Sequence, residues 1–302
     1  MKIAISGSHG LIGRYLFDTL HQEHHQVFRL QRSKAASYDE SISSIYWDPL
    51  TGSAAAERLE GCDVVIHLAG ANIASKRWNA SVKKDIFTSR VDATRALVQI
   101  LLRLRPPPKL FICASAIGFY GAGSQVDVTE TSSCGKGFLA ELCSAWENSA
   151  ALLSDKAGVR VVNLRFGPVL SLDGGILAQM LPVFRIGLGG PVGLGSQYIN
   201  WISLREISSI INFICQHPEI TGPVNCVSPG AVTNASFSLT LAGILRRTCF
   251  LPTPAWLVRL LFGEMADELI LHSPRVLPSR LLDSGYVFQE PYLAEALTRM
   301  LK

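Results

Sequence analysis

The chain has 302 residues, 48% of them apolar, 17% charged and 8% aromatic. At roughly 150 residues per domain this predicts one large or two modest domains with a sizeable core, and it excludes disulfide-stapled miniproteins, collagen-like chains and disordered chains. The 28 Lys and Arg exceed the 24 Asp and Glu by only four and are scattered along the chain, so nucleic acid is not an expected partner.

From the amino end, Met1-Lys2 lead straight into an apolar run at residues 2–6 (KIAIS), with no signal peptide before it. The longest apolar runs, such as 97–102, fall far short of the roughly 18 residues that cross a bilayer. The expectation is a cytoplasmic protein with no membrane partner. Seven cysteines, Cys62, Cys113, Cys134, Cys143, Cys215, Cys226 and Cys249, contain no CxxC pair and no metal-ligand spacing, which fits a reduced compartment and no metal site.

Residues 2–6 run into a glycine cluster, after which Leu11, Ile12, Tyr15, Leu16 and Leu20 recur at helical spacing. The predicted unit is strand, turn, helix. Gly7-Ser8-His9-Gly10-Leu11-Ile12-Gly13 occupies the turn as GxxGxxG. The first glycine permits a tight turn, the second lets backbone approach a diphosphate, the third lets the helix pack, and the helix N-terminus offers free N–H groups. Gly7, His9, Gly10, Leu11, Ile12 and Gly13 are therefore cofactor-binding candidates, with His9 read as tolerated in the loop.

A second strand near 27–30 follows. An NAD-binding unit carries Asp or Glu about 20 residues beyond its glycine loop; here the strand runs into Gln31-Arg32-Ser33-Lys34. Two cations and a hydroxyl suit an additional 2′-phosphate, so NADP is the expected cofactor, with Arg32 and Ser33 as ligands. A solvated basic loop is the competing reading.

Further branched apolar runs at 64–68, 110–114 and 159–164, mostly separated by helical stretches, predict a parallel sheet covered on both faces. The fold class is α/β: a Rossmann-type doubly wound parallel sheet with a smaller C-terminal α+β substrate domain. After about residue 168 glycines crowd between Gly174 and Gly195, around an apolar stretch at 176–186. Beyond them come a predicted helix at 204–216, a strand near 224–227, and helices at 234–247 and 255–272 punctuated by Pro252, Pro254, Pro274 and Pro278. The expected division is a dinucleotide domain over 1–168, rejoined by a strand and helix near 200–230, and a mainly substrate-binding cap over 169–302.

The glycine loop together with His67-Leu68-Ala69-Gly70 resembles the extended short-chain dehydrogenase/reductases. Trp47-Asp48-Pro49, Trp78, Ser89-Arg90, residues 115–121 (SAIGFYG), Trp146-Glu147, residues 184–195, Trp201-Ile202 and residues 222–225 are similar to an atypical, uncharacterised epimerase-family branch. That branch ends in a small C-terminal domain of unknown function, matched here by Gly263-Glu264 and residues 276–281. The resemblance covers essentially the whole chain. It implies NADP bound to the Rossmann domain, with Gly7, Gly10 and Gly13 at the diphosphate, Arg32 at the adenosine phosphate, and Leu68, Ala69 and Gly70 along the cofactor channel. It also makes Ser115 the catalytic hydroxyl, bonded to the substrate oxygen where charge changes during hydride transfer.

One departure matters. The family's YxxxK dyad is absent: aligned on Glu147 its positions hold Leu139 and Cys143, and shifted by one they hold Phe138 and Leu142. Arg90 stands where asparagine is common, and Arg205-Glu206 replaces a common acidic pair. Tyr120, the nearest phenol to Ser115, becomes the candidate proton donor, against the reading that it only packs beside a cofactor. Ser115 has a turn or cap hydroxyl as its competing role, Trp201 a pocket wall or core position, and Arg77 and Lys84 a substrate-anion grip or plain solvation. Lys136 reads as a solvated loop cation and Cys143 as a buried small apolar residue. The expected function is an NADP-dependent oxidoreductase or epimerase acting on a small molecule; the alternative is a non-catalytic NADP-binding sensor that kept the pocket and lost the acid–base pair.

Overall fold

The computed structural model describes residues 1–32, 43–49, 51, 53–122 and 127–302. The predicted ligand Ser33 and its neighbour Lys34 lie outside the described residues. Strand β1 (Lys2–Ser6) and helix α1 (Leu11–Gln22) flank the glycine loop, and β2 (Gln26–Gln31) follows. Next come β3 (Ser44–Asp48), β4 (Ser53–Ala54) and β5 (Val64–His67), then α2 (Ala80–Phe87), α3 (Ala93–Leu101), β6 (Leu110–Ala116), α4 (Phe138–Ala157) and β7 (Arg160–Phe166). The sheet order is β7-β6-β5-β1-β2-β3-β4; its pairings are parallel up to β3, and β4 closes the edge antiparallel.

Period-2 alternation divides the strand side chains between two buried faces. Ile3, Ile5, Val64 and Ile66 face Leu16 and Leu20 of α1, while Ala4, Val65 and Phe111 face Leu97, Val98 and Leu101 of α3 and Trp146 and Leu153 of α4. Burial on both faces is why these strands read as continuous apolar runs rather than as alternating ones. β3 and β4 carry no such run: β3 alternates Ile45 and Trp47 with polar and aromatic neighbours, and β4 is a two-residue edge strand.

Past β7 the chain forms β8 (Val169–Leu170), α5 (Gly175–Arg185), β9 (Tyr198–Ile199), β10 (Ile202–Ser203) and α6 (Leu204–Gln216). β11 (Gly222–Cys226) then adds in parallel beside β7 at the sheet edge, and α6 packs Ile207, Ile210, Ile211 and Ile214 into the same apolar layer as α1. After β12 (Val232–Thr233) and α7 (Asn234–Leu245) come α8 (Ala255–Phe262), α9 (Ser279–Asp283) and α10 (Leu293–Leu301). A third core joins Leu177, Leu181 and Phe184 of α5 to Phe237 and Leu241 of α7 and Leu297 of α10, around Trp201. Trp201 is fully buried with its Nε1 donating to Gly230 O at 2.9 Å, so it is core rather than pocket wall. The predicted helix over 255–272 is two pieces: Gly263 at φ +61° ends α8, and a short π-helical turn, Ala266–Ile270, follows. Among the described residues no helix is long and apolar enough to cross a membrane.

That turn reaches back to the sheet. Gly137, the residue before α4, has φ +105° and no side chain to cap the helix. Glu268 does so from 130 residues away, its carboxylate accepting from Phe138 N and Leu139 N, each at 2.8 Å. A side chain at Gly137 would collide with it, since an added Cβ would lie 2.7 Å from Glu268 Oε1. Nearby, Glu264 pairs with Lys83 of α2 at 2.5 Å. A carboxylate on free N–H groups at a helix start is favourable through hydrogen bonding and the dipole. Glu268→Ala is expected to lower unfolding free energy by about 1–2 kcal/mol, read as a reduced urea midpoint at unchanged slope.

Candidate active site

The loops leaving the carboxyl ends of β1, β5 and β6 form a crevice, the position at which open α/β sheets bind ligands. Gly7 turns the chain at φ +70°, and a Cβ there would lie 2.7 Å from Leu68 C and O, so only glycine lets the first loop pass the end of β5. At Gly13 a Cβ would lie 2.3 Å from Gly7 O, which seats α1 directly on its own loop. Gly10 is the N-cap, with neither a capping side chain nor an acidic residue in the first turn, so the leading N–H groups of α1 are open to an anion. Ser8 is buried, and its Oγ has no hydrogen-bond partner among the described residues. His9 is exposed, Ile12 half-buried, and Leu11 faces the turn before α5, within 3.4 Å of where a Gly174 Cβ would stand. A glycine cradle, an uncapped helix start and an orphaned buried hydroxyl together fit a group carrying anionic oxygens.

Two features that hold this crevice were not legible in the sequence. Arg29 on β2 stacks its guanidinium 3.5 Å from the Phe17 ring centroid and donates to Ser8 O at 3.1 Å, bracing the loop from behind. Burial lowers its pKa and Asp18 opposes that shift. His67, the last residue of β5, is fully buried and meets Ser6 Oγ at 2.6 Å and Thr94 Oγ1 at 3.0 Å. Desolvation pushes its pKa down to about 3, so a neutral imidazole ties β1 and β5 together just before their loops depart. Arg32 lies immediately past β2 and is exposed.

On the other side of β5, Ser115 stands in register with Arg165 of β7, and Arg165 in register with Asn225 of β11. One polar row thus crosses three strands. Ser115 Oγ donates to Glu147 Oε1 at 2.6 Å, and Arg165 grips both Glu147 oxygens at 2.8 Å. Arg165 also donates to Tyr120 Oη at 2.9 Å, while Tyr120 donates to Asn225 Oδ1 at 2.6 Å. Burial raises the Tyr120 pKa more than the Arg165 cation lowers it. Burial opposes the Arg165 charge too, but its bonds and proximity to Glu147 outweigh this and raise its pKa. Ser115 is therefore buried near the carboxyl end of β6 and fixed by Glu147, and the Tyr120 hydroxyl is buried and committed on both sides.

The positions of the missing dyad are apolar in fact as well as in sequence. Leu139 and Cys143 are buried on α4, and burial, then Glu147, pushes the Cys143 thiol up to about 12. The cation on this side is Arg90, from the π-helical turn Thr88–Asp92 between α2 and α3. A Gly70 Cβ would lie 3.1 Å from its Cζ, and its ring neighbour is Trp146 at 5.2 Å. Its polar contacts are only Ile86 O and Ser89 Oγ at 3.5 Å, with no carboxylate partner among the described residues; burial brings its pKa down to about 10. Leu68 and Ala69 pass against Gly7, and Gly70 against Arg90. Arg77, Lys84 and Lys136 are exposed, Arg77 lying against Gly263.

The profile of the NAD dependent epimerase/dehydratase family matches residues 3–224, and that of a domain of unknown function, DUF1731, matches residues 253–300. An epimerase family protein of Mycobacterium bovis is 38% identical over 295 residues, covering 98% of this chain and 96% of its own. The crystal structure of the human epimerase family protein SDR39U1 with NADPH superposes at a TM-score of 0.89, with 32% identity and 99% of each chain covered. A nucleoside-diphosphate sugar epimerase from Corynebacterium glutamicum gives 0.81 at 32% identity, over 100% of this chain and 58% of its own.

The Arg165–Glu147 pair is nearly inaccessible, at 3% and 12% side-chain exposure. Removing one partner leaves an uncompensated buried charge. Arg165→Met is expected to cost about 3–5 kcal/mol in denaturant unfolding, and adding Glu147→Leu is expected to return most of that loss.

Proposed function

Because this chain belongs to the NAD dependent epimerase/dehydratase family, we propose that it binds NADPH in the crevice and acts on a small organic molecule as an oxidoreductase or epimerase. The observation that carries the cofactor reading is the glycine cradle below an uncapped α1, beside a β2 end that has Arg32 where NAD-binding units carry an acid. The α1 N–H groups and Ser8 would hold the diphosphate, and Arg32 the 2′-phosphate. Leu68, Ala69 and Gly70 would line the channel towards the nicotinamide. When bound, the nicotinamide supplies or accepts a hydride at C4.

Arg90, beside Gly70, brings positive charge to the side of the crevice from which the dyad lysine is missing. Ser115 is read as the residue that meets the substrate oxygen. Its own proton is directed at Glu147 Oε1, which leaves the oxygen lone pairs to act as acceptors. A substrate hydroxyl can give its proton to Ser115 Oγ as the Ser115 proton moves to Glu147, and the reverse order serves reduction. Tyr120 is a positioning residue in this reading, because its hydroxyl is engaged with Arg165 and Asn225. Residues 169–302 mainly supply the substrate side over the dinucleotide domain of 1–168.

A second reading, a non-catalytic NADPH-binding sensor, draws on the burial of Leu139 and Cys143 where a proton donor and a cation would stand. Two measurements separate the possibilities. Calorimetric titration should show NADPH binding about 10- to 100-fold tighter than NADH, a margin that Arg32→Asp abolishes; equal or tighter NADH binding in the unmodified protein overturns the cofactor assignment. With NADPH deuterated at C4 and a panel of carbonyl compounds and nucleotide sugars, deuterium should appear in a product, and Ser115→Ala should slow its appearance by about 100-fold. Tight binding without transfer to any compound of the panel counts against the enzyme, and a coenzyme-dependent change in partner binding favours the sensor.

A further inference from the structure

The segments that follow the sheet leave one face rich in uncovered large apolar side chains. Residues 187–193 run beside residues 248–253, joined by Thr253 N to Pro191 O at 2.9 Å, Gly193 N to Thr253 O at 2.8 Å and Thr248 Oγ1 to Gly187 O at 3.3 Å. Gly190 makes the approach possible, since a Cβ there would lie 2.0 Å from Leu251 O. This pairing sets Ile186 and Leu188 beside Phe250, and Leu194 beside the start of α8. Val258 anchors α8 inward, while Trp256 and Leu260, one turn apart, point out. Leu194 is 94% exposed, Phe250 69% and Trp256 66%. Single exposed apolar residues are ordinary, but a contiguous band of this kind marks an interaction surface.

Apart from Asp267, which is bound to Arg259 of α8, the charge around the band is positive. The chain carries no acidic residue between Asp173 and Glu206, nor between Glu219 and Glu264, the two stretches that build this face. Arg185, Arg246 and Arg247 are exposed at its margin, and none forms an ion pair among the described residues. A two-fold copy of the chain would bring the unpaired Arg185, Arg246 and Arg247 towards their own copies, while the acid at this margin, Asp267, is already engaged by Arg259. An anionic bilayer provides both missing halves: acyl chains for Leu and Phe, an interfacial layer that favours Trp, and phosphates for the arginines. We propose that this face, made of residues 185–194 and 246–261, docks the protein peripherally onto anionic lipid bilayers. The contact needs no spanning helix. It is independent of the catalytic reading, because it is measured without substrate or coenzyme.

A built-in probe makes the test direct. Of the five tryptophans, Trp47, Trp78, Trp146 and Trp201 are buried and Trp256 alone is exposed. Mixed phosphatidylcholine/phosphatidylglycerol vesicles should shift the emission of the full chain to the blue, and brominated acyl chains should quench it. Trp256→Phe should remove the signal while cosedimentation with the vesicles persists. Phosphatidylcholine alone should do neither. The double variant Arg185→Gln/Arg247→Gln should weaken partitioning about thirtyfold, and Leu194→Ser/Leu260→Ser should weaken it as well, with circular dichroism unchanged in both. Two outcomes overturn the proposal: no shift and no cosedimentation with either vesicle, or a lipid-free blue shift that grows with protein concentration alongside a sedimenting dimer, which identifies a second copy as the occupant.

Discussion

The arrangement of the candidate site depends on one buried ion pair, Arg165 with Glu147. Both charges are largely removed from water, a state that is tolerable only with near-complete hydrogen bonding. Here the guanidinium spans both carboxylate oxygens and the Tyr120 hydroxyl, and the carboxylate takes Ser115 as well. Such a pair adds little net stability over an apolar substitute of equal volume. Its effect is geometric: β6, β7 and α4 have one mutual placement in which every polar atom of the row is satisfied, and Ser115 inherits its orientation from it. Asn225 extends the constraint to β11, and through Leu277 O to the segment that follows.

The same row explains how the site differs from a Tyr–Lys arrangement. Leu139 and Cys143 are buried on α4, where the one carries no ionisable group and burial pushes the thiol of the other up to about 12. The positive charge on that side comes from a different element altogether, the Arg90 turn, against Gly70. On the proposed reading, proton transfer and positive charge, which the usual helix combines in one motif, are divided here between β6 with α4 on one hand and the turn before α3 on the other.

What could be read from the chain and what could not follows the range of the interactions involved. The glycine loop was legible because its constraints are local: a positive φ at Gly7 and contacts of Gly13 with its own turn leave no choice of residue. The buried strands were legible because each announces itself by a short branched run. Arg29 bracing Ser8, Glu268 capping α4 and His67 bridging Ser6 and Thr94 involve partners 21 to 130 residues apart, and no periodicity marks them. Tyr120 shows the converse: nearness to Ser115 in sequence suggested a proton donor, yet a short 3-10 turn over Ile117–Tyr120 carries its hydroxyl to the buried end of the polar row. The helix expected over 255–272 failed at Gly263, where a single left-handed residue redirects the chain.

β11 has a consequence for biosynthesis. The strand that flanks β7 is separated from it by β8, α5, β9, β10 and α6, so a nascent chain that has just emitted Phe166 exposes an unpaired parallel edge until Cys226 has left the ribosome. During that interval Arg165 lacks the cross-strand neighbour that completes its row. The β7 edge can therefore be sealed only once the whole segment from β8 through α6 has been made, and until then it is open to wrong edge pairing.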